Sequence, residues 1–290
     1  MSEGNLTVDA QQSSAHVNNA QRTDGQIYNT QHDSQRAGKA SPLVIVLILV
    51  IVACLIGGII GGVYLVNTYA QIRDVENSQT IEPMTPDDMK ADQVNPIDFA
   101  SLSQQNSDIY AWIYLPGTNI NYPVCQSETD DTFYLTHNAE KKESDLGAIF
   151  SESQFNTTSM QDRVTILYGH NGYGDTMFTQ LHQFERSEFF DANDKIYVYA
   201  PGHVYTYEIV SAFMAGDQHF MGLFNFQSDS DFARFLKYIQ NPNAIGANTR
   251  TVDMSADSKV LMLSTCNTGA LEETGRYVVC GVMVDDHATK

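Results

Sequence analysis

Residues 260–269 read Val-Leu-Met-Leu-Ser-Thr-Cys-Asn-Thr-Gly: a short apolar run, a polar step, a cysteine and then a loop signal. Two other segments share this shape. Residues 164–172 run Val-Thr-Ile-Leu-Tyr-Gly-His-Asn-Gly, and Arg276 opens the run Tyr-Val-Val-Cys-Gly-Val-Met-Val. Each places a chemically versatile side chain at the end of a β-type segment, where a rigid scaffold meets a loop and a substrate can reach it. A thiol nucleophile, an imidazole and a permanently charged guanidinium suit acyl transfer at a peptide carbonyl. The plainer readings are a buried cysteine acting as a small hydrophobe, a polar loop histidine, and an arginine paired with Glu272 or Glu273. If the strands ending at Cys266 and starting at Arg276 are hairpin neighbours across residues 267–275, those two residues share one end of a sheet. Along the last run, Arg276, Val278 and Cys280 then face one way and Tyr277 and Val279 the other. Cys280 and Cys125 read as core.

Outward from this stretch, runs rich in Val, Ile, Tyr and Phe recur at short intervals. Strands are expected at 111–115, 122–125, 148–151, 164–168, 195–200, 204–215, 259–265 and 276–284. Pro116-Gly117-Thr118-Asn119 is a turn signal between the first two. A short helix is expected over 98–107 and another over 176–184. A third, over 229–239, puts Phe232, Phe235, Leu236 and Ile239 on one face behind an acidic start. Many short strands with few helices predict a closed or nearly closed β-barrel.

The N-terminal third is different. Residues 43–66 (LVIVLILVIVACLIGGIIGGVYLV) carry no charge and are long enough to cross a bilayer as a helix. Arg36 and Lys39 before this segment, against Arg73 beside Asp74 and Glu76 after it, place the N-terminus inside. Residues 1–41 are polar and lack apolar clustering, as in a disordered cytoplasmic tail. Residues 67–96, polar and proline-bearing, read as an extracellular stalk, and 97–290 as the folded domain. The net charge of -19 argues against nucleic acid as a partner, which would need clustered Lys and Arg. The four cysteines fit no zinc or C-x-x-C spacing, no histidine pair has ligand spacing with acidic support, and neither a metal nor a cofactor is expected.

LSTC with an arginine ten residues on, YGHN upstream, and the segments DIYAWIYLPGTNINYPVCQ, FYLTHN and GAIF together resemble the sortases, the membrane-anchored cysteine transpeptidases of Gram-positive bacteria, and class B in particular. The resemblance covers residues 97–285. It implies an eight-stranded sortase barrel with an N-terminal helix and a helix inserted before the cysteine strand; the transmembrane helix read from the apolar run is set at 42–66. It carries over Cys266 as nucleophile, His170 as proton partner and Arg276 as oxyanion and substrate clamp, with Tyr168 and Ser264 flanking the groove. The implied partners are surface proteins bearing a sorting signal and an amine of the peptidoglycan precursor or cross-bridge. Class B relatives often have an acidic residue after the cysteine. Here it is Asn267, so no carboxylate there can orient the histidine. A hydrolytic cysteine peptidase using the same residues, and a catalytically silent surface binding domain, are the competing readings.

Overall fold

The computed structural model describes residues 41–78, 85, 86, 89, 93–172, 174–216, 219–266 and 275–290, with the side chains of 76–78 and 266 outside that description. Residues 1–40 of the expected tail, much of the expected stalk, and Asn267 with the loop after it lie outside the described residues.

Helix α1 spans Pro42–Ser78, well past the apolar run. It is long and apolar enough over 42–75 to cross a membrane. The chain divides into two compact units at Ile56/Gly57. Within the second unit, helix α2 (Phe99–Gln105) starts at Asp98, whose carboxylate accepts the Ser101 backbone N–H at 3.0 Å.

Nine strands follow among the described residues: β1 (Ile109–Tyr114), β2 (Asn121–Cys125), β3 (Ile149–Phe150), β4 (Val164–His170), β5 (Lys195–Ala200), β6 (His203–Gly216), β7 (Asn248–Thr249), β8 (Val260–Cys266) and β9 (Gly275–Ala288). Eight of them close a ring in the order β5-β1-β2-β3-β4-β8-β9-β6, because β5 pairs with both β1 and β6. The two-residue β7 hangs on the outside of β6. The eight-stranded barrel expected from the sequence is therefore present, with one short strand appended.

Parallel pairing occurs at β2–β3 and β4–β8. Parallel neighbours need a long crossover. Between β4 and β8 it holds α3 (Ser187–Ala192), β5, β6, α4 (Phe220–Leu223), α5 (Asp229–Gln240) and β7. Helix α5 is the expected amphipathic segment. Ser228 caps it, and Phe232, Phe235, Leu236 and Ile239 are buried against Ile166, Met262, Val278 and Cys280 on the outer face of the sheet. The alternate residues Leu167, Leu261, Leu263, Tyr277 and Val279 fill the barrel interior. Burial on both faces explains why these strands read as continuous apolar runs. Cys125 and Cys280 are buried free thiols, and Cys54 is an exposed one on α1.

The helix expected over 176–184 is different. Met177 takes a positive φ of 51° and bridges to Asn171, and its N–H donates to Tyr122 Oη at 3.0 Å. That holds 176–178 out of helix, and a 3-10 helix covers only Thr179–Glu185.

Candidate active site

Strands β4 and β8 run in register from Val164/Val260 to His170/Cys266. The antiparallel β8–β9 ladder pairs Leu263 with Val279 and Ser264 with Val278. That ladder ends there, and Arg276 pairs instead with Ala215 of β6. His170 and Cys266 therefore stand level at the ends of β4 and β8, and Arg276 lies at the start of β9, the strand on the far side of β8. The side chain of Cys266 lies outside the described residues.

His170 is half-buried. Its Nε2 lies 2.7 Å from the main-chain oxygen of Leu135, and its Nδ1 is buried with no hydrogen-bond partner among the described residues. A carbonyl oxygen can only accept, so Nε2 carries the hydrogen and Nδ1 is bare in the neutral ring. Arg276 is also half-buried, at the start of β9, and its Nε is buried without a partner among the described residues. The neighbouring Tyr277 N–H donates to Thr265 Oγ1 at 2.9 Å, which ties the first residues of β9 to β8 beyond the last ladder pair.

Tyr168 and Ser264 pair with each other two residues earlier on the same strands. Ser264 is buried, its Oγ 3.4 Å from the Thr265 carbonyl. Tyr168 is buried too, and its hydroxyl lies 2.8 Å from His219 Nε2. His219, which has no strand-end setting in the sequence, caps α4. It accepts the Met221 N–H at Nδ1 and sits 2.7 Å from Glu152 Oε2 through Nε2. Phe155 lies against its ring. His182, likewise unremarkable in sequence, is held by Glu185 at 2.6 Å and stacks on Tyr277.

Burial pushes the Cys280 thiol up to about 12, and Cys125 is raised for the same reason. Neither can supply a thiolate near neutrality. Among the described residues no cluster of three or more His, Cys, Asp or Glu could hold a metal ion.

A sortase domain model matches residues 113–284. Sortase B of Listeria monocytogenes is 30% identical over 184 residues, covering 63% of this chain and 72% of that protein. Sortase B of Staphylococcus aureus is 30% identical over 186 residues, covering 64% and 74% respectively. The crystal structure of Clostridium perfringens sortase B superposes with a TM-score of 0.56 at 31% identity, covering 64% of this chain and 99% of that one. With this barrel and these matches, the chain belongs to the sortase family of cysteine transpeptidases, as a class B member.

Proposed function

We propose that this enzyme cleaves the C-terminal sorting signal of exported proteins and joins them to an amine of the peptidoglycan precursor or cross-bridge, with Cys266, His170 and Arg276 as its catalytic residues. The observation that carries the assignment is the backbone pairing of His170 with Cys266, next to the strand that Arg276 opens. Cys266 attacks the scissile carbonyl as a thiolate. Arg276, always charged and with an Nε–H that has no partner among the described residues, stabilises the oxyanion of the tetrahedral intermediate. His170 takes the thiol proton and returns it to the leaving amine, which leaves a thioester on Cys266. An incoming amine displaces the sulfur, and water is outcompeted to the extent that the site positions that amine. Tyr168 and Ser264 form the floor of the groove. No cofactor enters this scheme.

The tether fits the chemistry. With residues 42–66 in the bilayer, the N-terminal tail of residues 1–41 inside and residues 67–96 as a stalk, the domain 97–290 meets exported substrates and wall precursors at raised local concentration.

The test uses the full-length chain in detergent micelles with sorting-signal peptides and an amine acceptor. The expected result is amine-joined product, a trapped acyl-enzyme by mass spectrometry, and loss of both in Cys266→Ala. Cleaved peptide without joined product would make the enzyme a hydrolytic peptidase instead. An active Cys266→Ala variant would remove the assignment altogether.

A further inference from the structure

Cysteine enzymes need the imidazole held in one tautomer, and a side-chain carboxylate or amide commonly does this. Among the described residues no carboxylate hydrogen-bonds the His170 ring. The geometry assigns that task to the main-chain carbonyl of Leu135, with Gly147 as the residue whose missing side chain lets the ring reach it. This rests on the reading of His170 as the proton partner of Cys266.

The Leu135 carbonyl is well fixed. It ends a 3-10 turn, Phe133–Leu135, whose central Tyr134 is almost wholly buried. Tyr134 Oη donates to Asp108 Oδ2 at 2.8 Å and accepts from Asn106 Nδ2 at 2.8 Å. Asn106 also donates to the Ala139 carbonyl, and Lys141 pairs with Asp108 at 2.9 Å, so both ends of the loop are tied to the start of the barrel.

Gly147 lies against this turn and against the ring. It has a φ of +59°, and a Cβ there would stand 2.5 Å from the Tyr134 oxygen, 3.0 Å from the Leu135 oxygen and 3.0 Å from His170 Cδ2. Cδ2 is the ring carbon bonded to Nε2, so crowding it pushes the donor off its acceptor. Gly147 cannot retreat. Its N–H donates to the Ser144 carbonyl, and the next residue, Ala148, donates to the Tyr134 carbonyl at 3.0 Å before the chain enters β3. The glycine is thus required twice, by its backbone conformation and by the space beside the ring.

The proton inventory follows. With Nε2–H committed to Leu135, Nδ1 holds the lone pair. The Cys266 S–H bond breaks as Nδ1–H forms, and the imidazolium keeps its hydrogen bond to Leu135, now charge-assisted. When the scissile C–N bond breaks, the Nδ1 proton passes to the departing nitrogen and the ring returns to its starting tautomer.

Two-bond proton–nitrogen NMR on the full-length chain, unmodified and as Cys266→Ala, reads the tautomer directly at a pH where the ring is neutral. The expected spectrum has a protonated Nε2 and a bare Nδ1 for His170. In parallel, Gly147→Ala is expected to lower kcat by about 10- to 100-fold, the cost of a misplaced catalytic group, with KM for the peptide unchanged. A predominant Nδ1–H tautomer in the unmodified protein overturns the inference, as does a folded Gly147→Ala variant with undiminished kcat. If the positive φ prevents that variant from folding, the spectrum alone decides. Turnover by Cys266→Ala would instead defeat the catalytic assignment and leave the tautomer of His170 as measured.

Discussion

His170 and Cys266 are backbone partners on parallel strands, although β5, β6, β7, three α-helices and a 3-10 helix separate them in the chain. A parallel ladder fixes such a relation along its whole length, because a one-residue slip would turn every side chain of β8 to the opposite face. Leu261 and Leu263 would leave the barrel interior, and Met262 would leave its contact with α5. The apolar packing on both faces of β8 is therefore what sets the backbone of Cys266 level with that of His170.

Arg276 is placed by the hairpin partner of that strand, and its role is open to a conservative substitution. Lysine keeps the charge but loses the planar fork and the Nε–H. Removing an oxyanion donor costs about 3 to 4 kcal/mol, so Arg276→Lys should lower kcat by at least two orders of magnitude. The melting temperature should stay near that of the unmodified protein, since the side chain is half-buried at a strand end. Steady-state kinetics with a sorting-signal peptide, alongside thermal unfolding, checks both.

The Tyr134 hydroxyl is a structural counterpart. Tyr134→Phe leaves the buried Asn106 and the half-buried Asp108 without their shared partner. An unsatisfied buried polar group costs about 1 to 3 kcal/mol, and the denaturant midpoint should fall accordingly. Because the Leu135 turn loosens with it, kcat should fall as well, while KM holds.

The sequence announced the strands because burial on both faces leaves a strong apolar signature, and α5 because Phe232, Phe235, Leu236 and Ile239 repeat at helical spacing. Strand β7 had no signature: Asn248 and Thr249 are polar and pair with β6 only because the crossover passes there. The helix expected at 176–184 starts only at Thr179, because Met177, though at a helical apolar spacing, is bridged to Asn171 and held at positive φ. In the site, the strand-end residues were visible from their own neighbourhoods. The Glu152–His219–Tyr168 cluster was not, since its members follow β3, cap α4 and lie within β4. The Leu135 carbonyl was also invisible, because every residue has one.

Alkaline unfolding should report the two buried thiols. In the unfolded chain a cysteine ionises near its ordinary value of 9.0, whereas Cys280 keeps its proton up to about 12 in the fold. Above pH 9 the unfolded state binds fewer protons than the native state, so stability falls as pH rises. The contribution is intact below pH 9 and lost progressively towards about 12; Cys125, raised by the same burial, adds to it. Denaturant titrations at pH 8 and pH 10.5 should show a lower midpoint at the higher pH. Replacing Cys280 with alanine should flatten the dependence, even though the cavity lowers stability at both values. An unchanged slope in that variant would mean that the thiol titrates as freely in the fold as outside it.

The pair Glu152 and His219 links the exit of β3 to the first turn of α4, beside the buried hydroxyl of Tyr168. With Nδ1 accepting from Met221, His219 presents Nε2–H to the carboxylate, and the contact holds the segment after β6 against β4 two residues before His170. Under the proposed function, such a contact shapes the groove without touching the reacting atoms. Glu152→Gln and His219→Gln should each raise KM for the sorting-signal peptide and leave kcat nearly unchanged. In the double variant the effects should fall short of additive by about 0.5 to 3 kcal/mol, the range for residues in direct contact. Strict additivity would mean that the two side chains act separately, and a loss confined to kcat would place them in the chemistry instead of the groove.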